Sequence, residues 1–95
     1  MTNDDIEYLA NALERDLLTL YGSPVLSGDN LRAALGYSSL DALRQAMVRD
    51  TVPVKLFSIK FRRGKHALVK DIALWLATEA RQFNQTEDVG NTKKS

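Results

Sequence analysis

Apolar positions over the first twenty residues recur at helical spacing. Ile6, Leu9, Ala10, Leu13, Leu17 and Leu20 fall on one stripe, while Glu7, Asn11, Glu14 and Arg15 lie away from it, so the spacing predicts an amphipathic helix over 5–21. Asp4 stands at its start as a cap, Glu7 follows at the capping-box offset, and Gly22 and Pro24 end it. Leu18 and Tyr21 widen the apolar surface beyond one stripe, which leaves area for pairing with a second copy of the chain.

The pattern then shortens. Ser27 is placed to cap a small helix running through Leu35, with Leu31, Ala34 and Leu35 facing inward, and Gly36 breaks it. Ser38 or Ser39 can cap a third helix that runs to about Arg49 and turns Leu40, Leu43 and Met47 to one face. At 100° per residue the opposite face carries Ser38, Asp41, Ala42, Gln45 and Arg49, flanked by Ser39 and Arg44. Two short helices joined by a glycine turn have the outline of a helix-turn-helix.

After Val52-Pro53-Val54 the period changes from helix to strand. Lys55 to Phe61 alternates, with Phe57, Ile59 and Phe61 on the inner side and Leu56, Ser58 and Lys60 on the outer. Arg62-Arg63-Gly64-Lys65 reads as a turn, and His66 to Val69 as the returning strand, with His66 half-exposed on it. Asp71 opens a last helix, Ile72 to Arg81, whose Ile72, Leu76 and Ala80 face the core and whose Trp75 anchors it. Beyond Phe83 the residues are polar, so 84–95 is expected to be a disordered tail on a single domain spanning 1–83. The fold class is α+β, mainly α.

Composition narrows the chemistry. Ninety-five residues with 44% hydrophobic and 26% charged content suit one domain with a modest core. The absence of cysteine rules out disulfides and thiolate metal sites, and His66 alone cannot supply the ligands zinc requires, so neither a metal nor any other cofactor is expected. No nucleophile, base and orienting acid stand together, no glycine-rich phosphate loop is present, and an enzyme or a small-molecule ligand is not expected. No apolar run reaches the length of a membrane span, and Met1-Thr2-Asn3-Asp4-Asp5 is acidic where a signal peptide is basic; the cytoplasm is the expected location.

A net charge of +1 conceals a division. Residues 1–28 hold five acids against Arg15 alone, a balance of −4, whereas residues 29–71 hold nine bases against four acids, a balance of +5. The bases of the hairpin, Lys60, Arg62, Arg63 and Lys65, repel one another and contribute nothing to a core, so a polyanion explains them better than folding does.

Leu35-Gly36-Tyr37-Ser38-Ser39, Val52-Pro53-Val54-Lys55-Leu56, Arg62-Arg63-Gly64-Lys65 and Asp71-Ile72-Ala73-Leu74-Trp75-Leu76 follow one another in an order that resembles the excisionase and AlpA-like winged helix-turn-helix proteins of the MerR superfamily. Leu17-Leu18 and Tyr21-Gly22 are similar to the leading helix of the pyocin-activator branch. Lys70 departs from the Ser or Thr usual before the helical acid.

The resemblance implies a winged helix-turn-helix with an added N-terminal helix. Its function would be sequence-specific binding of double-stranded DNA, as a transcriptional regulator or a recombination directionality factor of a phage or mobile element. In such a protein the helix Ser39 to Arg49 enters the major groove, where Gln45 reads adenine, Arg44 or Arg49 reads guanine or holds phosphate, and Ser38 and Ser39 anchor the backbone. Lys60, Arg62, Arg63 and Lys65 would neutralise phosphates from the wing. Asp41 would repel phosphate unless it caps the helix or accepts from a cytosine amino group. One such domain has a small footprint, so a homodimer through the N-terminal helix is an expected partner state. The alternative is a protein-interaction module that presents the acidic helix with Leu18, Tyr21 and Phe83.

Overall fold

The computed structural model describes the backbone of residues 2–90 and the side chains of residues 5–82. In chain order the elements are α1 (Thr2–Tyr21), β1 (Val25–Ser27), α2 (Gly28–Leu35), α3 (Leu40–Arg49), β2 (Phe57–Ser58), β3 (Lys65–Leu68) and α4 (Val69–Gly90). The class is α+β and mainly α: helices surround a three-stranded antiparallel sheet of order β1-β3-β2.

The core is aliphatic. Leu26, Leu31, Leu35, Leu43, Ala67, Val69 and Ile72 form one buried cluster drawn from β1, α2, α3, β3 and the start of α4. Each larger side chain taken fully out of water contributes about 1.5–3 kcal/mol. Leu17, Leu18 and Tyr21 close the cluster from α1, and Trp75 and Leu76 from α4, so Trp75 is a half-buried anchor as its spacing predicts.

Several expectations change in detail. α1 begins at Thr2, which puts Asp4 inside the helix rather than before it, with its side chain outside the described residues. Leu20 points to solvent and Leu18 takes its place against the core, because the inward stripe turns with the 3.6-residue period. On α4 the buried positions are Val69, Ile72, Ala73 and Ala77, while Ala80 is exposed. This helix starts before Asp71 and continues to Gly90 through residues expected to be a disordered tail; no glycine or proline interrupts 70–89, so polarity alone does not end it. Phe83 as a partner-facing side chain and the tail over 91–95 lie outside the described residues.

β1 was not expected from the sequence. Three residues are too few to show alternation, yet Val25, Leu26 and Ser27 pair with Leu68, Ala67 and His66. Ser27 precedes α2 in extended conformation, but its side chain makes no capping hydrogen bond. The hairpin is also shorter than its alternation predicts. Only Phe57 and Ser58 pair, with His66 and Lys65, so β2 does not extend over 55–61. Leu56, expected outside, packs on the core instead, and Phe61, expected inside, is 96% exposed. His66 is buried at 4% exposure rather than half-exposed, because β3 is the central strand with β1 and β2 on either side, and its ring faces Phe57 at 6.2 Å.

Candidate nucleic-acid interface

The turn between α2 and α3 is held by one arginine and one glycine. Gly36 adopts φ 85°, and its amide and that of Tyr37 both donate to the Arg32 carbonyl, at 3.0 and 3.1 Å. The Arg32 guanidinium donates to the Tyr37 carbonyl at 2.9 Å and, through Nε, to Asp29 at 2.7 Å. That hydrogen bond, reinforced by the charge of Arg32, holds the Asp29 carboxyl below the usual carboxylate range. Arg32 is thereby committed to the turn, although it belongs to the basic stretch of the sequence.

α3 follows from this turn with its cap formed. Ser39 Oγ accepts from the Ala42 amide at 3.0 Å, which settles the choice between the two serines, and Ser38 stays exposed beside it. Leu43 and Ala46 point into the core. Arg44, Gln45, Val48 and Arg49 line a shallow depression on the outer surface. Asp41 faces the same solvent and pairs with Arg44 at 2.9 Å one turn on, which neutralises the acid that the sequence places on this helix. Val48, 86% exposed in this patch, is a candidate site residue that the sequence reading missed. Its place three residues after Gln45 and four after Arg44 is the signal that identifies it.

The second group sits where β2 returns as β3. Residues 59–64 form the connection, closed by the Arg62 amide donating to the Ile59 carbonyl at 2.9 Å, and Gly64 takes φ 79° before β3 begins. Lys60, Arg62, Arg63 and Lys65 are all exposed, and none forms an ion pair among the described residues. Lys65 Nζ donates to Ser58 Oγ across the ladder at 3.2 Å, and Lys60 Nζ lies 5.4 Å from the centre of the Phe61 ring.

The nine expected residues therefore fall into two groups, one at the start and outer surface of α3 and one at the hairpin tip. α2 connects them structurally, since it contacts α3 as well as β1 and β3. No group of three or more histidine, aspartate or glutamate side chains among the described residues is arranged to hold a metal ion. No helix of the described residues is long and apolar enough to cross a membrane. No family model, curated protein or solved structure matches the chain.

Proposed function

We propose that this chain is a winged helix-turn-helix protein that binds double-stranded DNA, of the excisionase and AlpA-like kind, and acts as a transcriptional regulator or recombination directionality factor of a phage or mobile element. The observation that carries the reading is the hairpin tip: Lys60, Arg62 and Arg63 on one short connection and Lys65 at the start of β3 are all exposed, with no acidic partner among the described residues. Such a tip is electrostatically unfavourable in the free protein and favourable against a phosphate backbone. The α3 patch supplies complementary chemistry for base edges. Gln45 can bond adenine, Arg49 guanine or phosphate, and Val48 can cover a thymine methyl group.

Duplex binding followed by fluorescence anisotropy across a salt series tests the reading. With three phosphate contacts removed in Arg62→Ala, Arg63→Ala, Lys65→Ala, the slope of log affinity against log salt should fall by about three, with melting temperature unchanged. A folded protein without duplex affinity at low salt overturns the proposal.

A second reading is favoured by α1: Leu18 and Tyr21, expected on a partner surface, pack on the core instead, while Tyr8 and Leu20 are 78% and 70% exposed on this acidic helix. It makes α1 the contact to another copy of the chain or to a protein. The mass of the complex on selected duplexes distinguishes one protomer from two.

A further inference from the structure

The hairpin tip carries an aromatic ring that folding does not use. Phe61 is 96% exposed and has φ 68°. A left-handed backbone is unfavourable for a bulky side chain, and exposure gives it no packing in return. Glycine or asparagine would close the same connection with less strain. What surrounds the ring is chemically uniform: Lys60 next to it with its ammonium near the ring, then Arg62 and Arg63, all exposed.

An apolar ring at the centre of a cationic tip matches one surface in particular. The minor groove is about 6 Å wide and is walled by phosphates, with stacked base edges at its floor. The cations can engage the walls while the ring advances to the floor, where apolar wedges part adjacent base pairs and bend the duplex. An acidic protein would satisfy the cations but would leave no reason for a strained aromatic among them.

We infer that Phe61 is a wedge that enters the minor groove and partly unstacks one base step, bending the DNA that the protein binds. The inference rests on the DNA-binding reading above. It adds a mechanical role for the tip: the cations hold the backbone, and the ring changes its path. Pyrimidine–purine steps unstack most easily, so the bend should centre on TA or CA steps.

The test uses the full chain and a duplex of about 25 base pairs with 2-aminopurine beside a central TA step, its ends labelled as a donor–acceptor pair. Wild-type protein should raise the 2-aminopurine fluorescence and bring the ends closer. Phe61→Ala should remove both signals and weaken affinity about five- to a hundredfold, the range that one base–aromatic contact supports, whereas Phe61→Trp should retain them. Phe61→Gly should remove both signals while raising the melting temperature, because glycine relieves the left-handed strain.

If wild type and Phe61→Ala bind alike with equal signals, the wedge is wrong and DNA binding stands. Weakened binding with no fluorescence change in wild type also overturns the wedge, since the ring then touches sugar only. A lower melting temperature in both Phe61→Ala and Phe61→Gly would make Phe61 a structural residue. If folded wild type binds no duplex at low salt, the DNA reading and the wedge both fall.

Discussion

Of the turns in this protein that contain a residue in the left-handed region, two handle it in opposite ways. Between α2 and α3 the residue is Gly36, and the backbone around it is tied down by hydrogen bonds to the Arg32 carbonyl and from the Arg32 guanidinium. At the hairpin tip, beside a left-handed Gly64, the residue is Phe61, with a single turn hydrogen bond nearby and 96% exposure. The first turn is what a stable angle between helices requires. The second spends conformational energy to keep a particular side chain outside, and a strained residue without packing indicates a role beyond the fold.

Truncation beside each turn separates them most widely. Leu35, which precedes Gly36, is 7% exposed, so Leu35→Ala should lower unfolding free energy by about 2–5 kcal/mol in a denaturant titration. Phe61→Ala should stay within about 0.5 kcal/mol of wild type. Equal losses would break the contrast.

Backbone swaps give the next effect. A Cβ on Gly36 would meet no atom within 4 Å, so Gly36→Ala costs only the left-handed conformation, about 1–2 kcal/mol. Phe61→Gly should move stability the other way by less than about 1 kcal/mol, because the added freedom of the unfolded chain offsets part of the relief. Thermal and chemical melts of the two variants side by side read both signs.

The smallest effect is the acid dependence of the first turn. Because the folded Asp29 carboxyl is held below its unfolded value, its contribution is present above about pH 4 and is lost as pH falls through the folded value. Asp29→Asn should flatten that part of the stability curve. Identical acid profiles for variant and wild type would show that the Arg32 pair does not support the turn; the Asp29 side chain is 70% exposed, so the difference should be small.

Helical parts of the fold were legible where the period had room to repeat. α3 shows inward Leu43 and outward Gln45 and Arg49 from spacing alone, whereas the cap was narrowed only to Ser38 or Ser39 and the buried Ala46 was not singled out. β1 was not legible, since three residues that pair with a strand forty positions away leave no local trace. The hairpin misled for a different reason. Alternation over 55–61 assigned Phe61 to the inner face, but the ladder ends at Ser58, the chain turns from Ile59, and the positive φ of Phe61 itself breaks the alternation. The cations of the site were visible as charge; the ring among them was hidden by being apolar, the property that usually marks core.

β3 ends at Leu68 and α4 begins at Val69, with no loop between them. The Val69 amide is also bonded to the Pro24 carbonyl at 2.8 Å, so the junction is fastened from the α1 side as well. Mechanically the returning strand and the helix form one crank. The 22-residue helix packs along α1, so this crank is braced and the hairpin is held at a set angle to the two long helices.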